Sequence, residues 1–439
     1  MTLTTRAHAV VLAVVAASLL GGHAQAQVPD RAGSGGTLVW EDVFIEGATP
    51  VNDLYILNAV DTEGRRVFAA GSGPYHDGPT ISPFVIIRAH DADTGTLLWQ
   101  TTRVERNEVL AGFGIGDGRV FAAGGGRSGF CRLCFNAFFV RAYDSATGSV
   151  LWEERLGQCQ NQPGDCPDPV RATDLASDEG RVVVGGCHGS ASCFLRAYDG
   201  ATGILLWERA LPTFSVFLGG PRVLAGDERV FAVTGVFDSA SSMTTFTLHA
   251  YDAALGSLLW ESVLPESRSL ASAVGPKGVF AAGDSYVRAH DVVTGELLWD
   301  VSNPSPRAQL TARGPLLFAV RDSVRAYDAT TGTLLWEDQP PSVVFNAVTS
   351  QGGQVFAAGS YASGAAYPDQ FWFFLVRAYD ADTGALLWDN RQPSPTPTTR
   401  SDTANAIAAT GGRVFAGGIL DLYRASTTEE WHLRAYNVQ

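Results

Sequence analysis

The feature that most restricts the fold is a thirteen-residue unit, RAYDSATGSVLWE from Arg141 to Glu153, which returns in register along most of the chain. Its first position recurs at Arg88, Arg196, His249, Arg288, Arg325, Arg377 and Arg434. Seven of these eight copies run through a turn to a tryptophan, at Trp99, Trp152, Trp207, Trp260, Trp299, Trp336 and Trp388. Ahead of each copy stands a second motif of the type RVFAAG, starting at Arg66, Arg119, Arg181, Arg229, Gly278, Leu316, Gln354 and Arg413. A unit of this length cannot bury its apolar face alone, so repetition at a fixed period predicts that each copy packs on its neighbours.

Each unit reads as four short strands: a variable apolar run, the RVFAAG run, the RAYD run and the LLW run, separated by Gly, Asp and Asn. No stretch between them has helical period or length. In the D-x-x-T-G turn the Asp accepts backbone N–H groups and the Gly takes positive φ, so the flanking strands pair as a hairpin. These aspartates are read as turn formers. The chain is therefore expected to be all-β, an eight-bladed β-propeller of four-stranded antiparallel blades. The eighth copy stops at Asn437, but GGTLVWE (Gly35 to Glu41) matches TGTLLWQ (Thr94 to Gln100). An N-terminal outer strand carrying Trp40 is thus expected to complete the C-terminal blade, which also removes an exposed strand edge.

Residues 1–26 hold an apolar run from Val10 to Leu20 and then Ala24-Gln25-Ala26, the pattern of a cleaved signal peptide. Residues 27–439 are expected to form one propeller domain, secreted or periplasmic. No later run reaches the length of an integral membrane segment, and no cysteine precedes Cys131 to carry a lipid anchor. With a formal charge of -14, the chain is a poor match for nucleic acid or an anionic membrane. Lys277 is the single lysine and follows no Gly-rich run, which excludes a P-loop.

The pattern Ala89, Asp91, Gly95, Trp99, repeated in register, resembles the tryptophan-docking motif of the eight-bladed propellers of quinoproteins and the PQQ-like repeat superfamily. The resemblance implies that Trp40, Trp99, Trp152, Trp207, Trp260, Trp299, Trp336 and Trp388 each stack into the junction with the next blade. It also implies two functions. One is a non-enzymatic, monomeric scaffold binding a protein or peptide, similar in architecture to the propeller lipoproteins of outer-membrane barrel assembly; no cofactor is expected for it. The alternative is a quinoprotein dehydrogenase of alcohols or sugars holding PQQ and calcium. Enzymes of that kind carry adjacent cysteines near the quinone, and this chain has no Cys-Cys pair. Asn107, Glu108, Asp174 and Asp402 are the residues near inner strands that could offer oxygen ligands to calcium.

All six cysteines lie between residues 131 and 193. In an exported chain they are expected to form disulfides. Proximity favours Cys131 with Cys134, Cys159 with Cys166 and Cys187 with Cys193 among the possible pairings; a zinc site with His188 is the other reading. His90, His249 and His290 hold repeat positions and read as packing residues, whereas His76, His188 and His432 fall on variable segments. GGGRSG from Gly124 has the spacing of a dinucleotide fingerprint but no helix to follow it. The repeating Arg should lie across the hairpin from either the Trp or the acid after it, giving a cation–π contact or an ion pair. No residue is assigned to catalysis, and neither a cofactor nor a metal ligand is assigned.

Variation concentrates in the second-to-third-strand and inter-blade segments, which share one face. Ser72–Phe84, Gly126–Phe139, Ser360–Phe374 and Ile419–Trp431 are long and carry Trp372 and Trp431, while the units led by Arg288 and Arg325 turn tightly. The expected rim is lopsided, and variable segments on a rigid frame are where recognition usually resides.

Overall fold

The computed structural model describes residues 35–44, 56–77, 80–103, 108–127, 135–157, 170–189, 192–211, 220–302, 307–362, 372–391, 402–421 and 429–438. These residues form 32 strands in eight four-stranded antiparallel sheets. The first blade is Ile56–Glu63, Arg66–Asp77, Thr80–Asp91 and Leu97–Arg103, and six more follow in the same up-and-down order to Arg391. The eighth takes Thr403–Thr410, Arg413–Asp421 and Glu429–Asn437 from one end of the chain and Leu38–Phe44 from the other. In that blade Trp40 lies opposite Ala435 and Phe44 opposite Trp431. The first strand of every blade touches the first strands of both neighbours, so the ring is closed.

The turn chemistry explains how consecutive blades lock. Asp144 Oδ1 accepts from the backbone N–H of Ala146 (3.0 Å) and of Thr147 (2.8 Å) and from the Thr147 hydroxyl (2.9 Å). The Thr147 hydroxyl leads the interactions that hold the Asp144 carboxyl below its ordinary pKa. Gly148 then turns with φ 71°. A Cβ on Gly148 would stand 2.6 Å from Trp99 Cε3, because the indole of the preceding blade lies flat on this turn. Trp99 Nε1 donates to Ser145 O at 3.0 Å, so the buried indole is satisfied as well as packed. The arrangement recurs around the ring: Trp40 to Ala92, Trp152 to Gly200, Trp207 to Ala253, Trp260 to Val292, Trp299 to Ala329, Trp336 to Ala381 and Trp388 to Val438.

The core lies between blades. Phe68, Val85, Trp99, Leu110, Val120, Phe139 and Tyr143, for example, fill the space between the first and second. Of the two partners open to the repeating Arg, the register selects the acid. Arg196 faces Glu208, Arg288 Asp300, Arg325 Glu337, Arg377 Asp389 and Arg434 Glu41, with ion pairs of 2.6 to 2.8 Å. A second acid, two residues past the tryptophan, reaches forward to the next blade: Asp42 to Arg88 (2.9 Å), Glu154 to Arg196 (3.0 Å) and Asp338 to Arg377 (3.1 Å). At Arg141, Arg196 and Arg288 the guanidinium also stacks on the aromatic two residues earlier, as Arg141 does over Phe139 at 4.5 Å.

Two expectations about loops are corrected. The segment Ser72–Phe84 is largely strand, paired as far as Asp77 with Thr80, because the hairpin of the first blade extends past its neighbours. Trp431 and His432 are not rim residues: they sit inside Glu429–Asn437, buried, with Trp431 packed edge-on to Phe44.

Candidate functional site

The rim is lopsided because the strands beneath it differ in length. Inner strands of the fourth, fifth and sixth blades have 5 residues each: Arg222–Gly226, Ala271–Gly275 and Gln309–Arg313. Those of the other five have 8 or 9. Each of those five also carries a bulge, at Asn58, Ala111, Thr173, Asn346 and Asn405. A bulged residue adds no paired level, so at about 3.3 Å per residue the low sector stands roughly 7–10 Å below its surroundings. In the fifth and sixth blades the two middle strands are equally short, Gly278–Ala282 with Tyr286–His290 and Leu316–Val320 with Val324–Asp328.

Taller hairpins wall this sector. On the fourth-blade side stand Arg229–Asp238 and Met243–Asp252, whose face toward the fifth blade carries Phe246 packed near Tyr286. On the other side stand Gln354–Ala362 and Trp372–Asp380 of the seventh blade. There Tyr361 and Phe373 are cross-strand neighbours with ring centroids 5.1 Å apart, and the Arg391 guanidinium lies 5.1 Å from the Tyr361 ring. Tyr361 packs with Phe318, Val320, Val343 and Phe345, so this aromatic face looks over the low sixth blade.

The floor is polar and held in place. Asp284 takes the Ser269 hydroxyl on Oδ1 (2.7 Å) and the Arg268 backbone N–H on Oδ2 (3.0 Å), while its own N–H donates to Ser267 Oγ (2.7 Å). Thr244 and Ser267 exchange two backbone bonds of 2.9 Å, tying this turn to the fourth-blade wall. Across the sector Arg321 donates to Asn346 Oδ1 (3.0 Å), and the Asn346 amide donates to Thr403 Oγ1 (2.8 Å) and Ala404 O (3.1 Å), linking the sixth, seventh and eighth blades. Asp284, Arg321 and Asn346 were not singled out by the motifs. The signal available for them was the spacing of 37 residues from Arg288 to Arg325, shorter than elsewhere, which marks the units whose turns are exposed at the rim.

The oxygen ligands considered for calcium do not come together. Glu108 is fully buried, and its carboxylate is consumed by Arg141 (2.7 and 2.6 Å) and by Arg155. Asp174 accepts from the N–H groups of Leu175 and Val223, both at 3.0 Å; burial pushes its pKa up against the pull of the Arg222 charge. Asp402 is buried with its backbone N–H on Trp372 O (3.0 Å), and Asn107 lies outside the described residues. Among the described residues no three His, Cys, Asp or Glu side chains are placed to hold a metal ion. Cys187 and Cys193 form a disulfide across a hairpin, whereas Cys131, Cys134, Cys159 and Cys166 lie outside the described residues. His90, His249 and His290 are buried inside blades.

A closed ring of eight four-stranded sheets is an eight-bladed β-propeller, and its family match places it in the PQQ-like class. The chain belongs to the family described as outer membrane protein assembly factor BamB, whose profile matches residues 137–285 and 283–427. No curated protein matches the chain. Among solved structures it is similar to the computationally designed Ika8 protein, at TM-score 0.55 and 18% identity over 88% of this chain and 96% of that one. BamB from Moraxella catarrhalis is matched at TM-score 0.51 and 17% identity, over 89% and 97%. A quinohemoprotein alcohol dehydrogenase of Pseudomonas putida, ADHIIG, is matched at TM-score 0.53 and 14% identity, over 87% and 74%. At these identities the likeness shows the fold. No helix among the described residues is long and apolar enough to cross a membrane.

Proposed function

We propose that this chain is an exported, non-enzymatic scaffold that binds a protein or peptide partner on the lopsided rim. The observation carrying the reading is the low sector of the fifth and sixth blades, a polar, rigid floor between two aromatic-bearing walls. Pre-formed floors of this kind lower the ordering cost of binding. The family's name for an assembly factor agrees with such a role. The quinoprotein alternative finds little support in the inner-strand carboxylates, since Glu108 and Asp174 already spend their oxygens on protein donors.

The test places a photo-crosslinking residue at Gln309 on the rim and, in a separate protein, at Thr94 on the opposite face. Envelope extract is expected to give a discrete adduct from Gln309 and none from Thr94. Titration with PQQ and calcium and an artificial electron acceptor is expected to give no turnover; stoichiometric quinone uptake with turnover on an alcohol or sugar would refute the reading.

A further inference from the structure

We infer that the turn face of the third, fourth and fifth blades docks a basic amphipathic segment of a partner protein, at a surface separate from the rim. Six of the seven D-x-x-T-G-type turns hold a threonine whose hydroxyl lies 2.7 to 3.2 Å from the turn aspartate. In the fourth blade that position is Leu255, 67% exposed, so the turn gives up the bond and sets an apolar side chain in water. The neighbouring blades depart from the repeat in the same direction. Ile204, 63% exposed, stands where the first, second and sixth blades have Thr96, Ser149 and Thr333. Val293, 55% exposed, stands where they have Asp93, Ala146 and Thr330. The turn itself requires none of these three changes, and they fall on consecutive blades. Clustered apolar exposure of this kind marks a contact surface.

The three residues are joined by the way each turn seats on the strand before it. A Cβ on Gly256 would meet Trp207 Cδ2 at 2.5 Å, and Arg209 holds the same turn by donating to Leu255 O (2.8 Å) and Gly256 O (2.7 Å). Trp207 and Arg209 belong to Leu205–Leu211, the strand that follows Ile204 directly. The turn bearing Val293 lies likewise on Trp260 of Leu258–Val263, whose Nε1 donates to Val292 O at 3.2 Å. Leu205, Leu206, Leu258 and Leu259 are exposed between them, so the apolar surface runs from turn to turn.

The charge around this strip selects its occupant. Asp178, Glu179, Asp227 and Glu228 stand on the inner turns of these blades, and Asp199, Asp252, Asp291 and Glu296 on the outer ones. The cations are Arg181, Arg229 and Lys277, together with Arg209, which is spent on backbone carbonyls. A second copy would bring the same carboxylates to the contact, and an anionic lipid surface would be repelled by them. An apolar segment flanked by lysine or arginine is attracted. With packed sheets ~10 Å apart and splaying outward, three turns span roughly 20–30 Å, the length of about 14–20 helical residues. Thr94, on the first blade, lies outside the strip.

The test measures fluorescence anisotropy of labelled helical peptides of about eighteen residues against the full chain. One carries leucine and lysine in amphipathic order, one has glutamate for lysine, and one has serine for leucine. The leucine-lysine peptide should bind, less tightly as salt rises, and the other two at least about tenfold more weakly. Ile204→Thr/Leu255→Thr/Val293→Thr installs the residue that other blades carry at these positions, so the fold should be kept, as melting and far-UV circular dichroism check. This variant should weaken leucine-lysine binding about tenfold, whereas Leu98→Thr/Leu335→Thr/Leu387→Thr, at exposed leucines of other blades, should not. No binding by the parent, equal weakening by the two triples, or glutamate peptide bound as tightly as the lysine one would each overturn the inference. Co-sedimentation with zwitterionic or anionic vesicles, or a dimer in sedimentation velocity, that is lost in the turn triple would overturn it by giving the strip to lipid or to a second copy.

Discussion

Glu41 accepts hydrogen bonds from His432 Nδ1 at 2.6 Å and from Arg434 Nε at 2.7 Å, partners 391 and 393 residues away in sequence. Burial pushes the Glu41 pKa up, but the His432 hydrogen bond and the Arg434 charge outweigh it and bring it from 4.5 down to about 2. A depressed carboxylate stabilises the fold above its unfolded pKa and loses that contribution as pH falls through its folded one. Glu41→Gln should therefore lower unfolding free energy near neutral pH by about 2 kcal/mol. The gap to the parent should close as pH is lowered from 4.5 toward 2, the span between the two values. Urea unfolding at several pH values reads both effects.

Gly203→Ala should be among the most damaging single-methyl changes. The residue has φ 72°, and a Cβ would come within 2.6 Å of Trp152 Cδ2. Left-handed backbone and a displaced indole together should cost about 2–4 kcal/mol. Intrinsic fluorescence should shift to the red as Trp152 loses both its seat and its bond to Gly200 O (2.9 Å). An unchanged emission maximum with an unchanged melting temperature would contradict this account of the blade junction.

Arg141 and Glu108 should behave as one unit. Both are almost fully buried and joined by two hydrogen bonds, and Glu108 together with Glu153 holds the Arg141 pKa above its ordinary value despite burial. Arg141→Met leaves the buried Glu108 carboxylate with Arg155 as its remaining cation and should cost about 3 kcal/mol, whereas Arg141→Met/Glu108→Gln should cost less than the two singles added. A double-mutant cycle by chemical denaturation measures the coupling. Rim binding should not change, since these residues lie between blades.

The Cys187–Cys193 bridge closes a short loop within a core cluster of the third and fourth blades. Cys187→Ala/Cys193→Ala should lower stability by about 2 kcal/mol on loop-closure grounds, with strand content retained in far-UV circular dichroism.

Blade number and ring closure were legible because both rest on local chemistry repeated in register. The D-x-x-T-G turn fixes each hairpin, and Gly35–Glu41 spells the half that the Arg434 copy lacks. The pairing of Arg with the residue after the tryptophan was readable only as one of two choices, since turn register decides it. The forward reach of Asp42, Glu154 and Asp338 was not readable at all, because it depends on how closely one sheet stacks on the next. Trp431 and His432 were misplaced for a related reason: a hairpin that outgrows its neighbours looks like a variable segment until its cross-strand partners are known. The low sector was visible as two short units, but its walls belong to tertiary packing.

Trp388 rests on Gly36 in the same way that Trp99 rests on Gly148. The open turn of the eighth blade, where Leu38–Phe44 meets Glu429–Asn437, is thus docked by its neighbour like the seven turns that the chain closes. The indole of the seventh blade clamps both arms of that turn, so pulling either strand of the eighth blade loose must also unseat its neighbour.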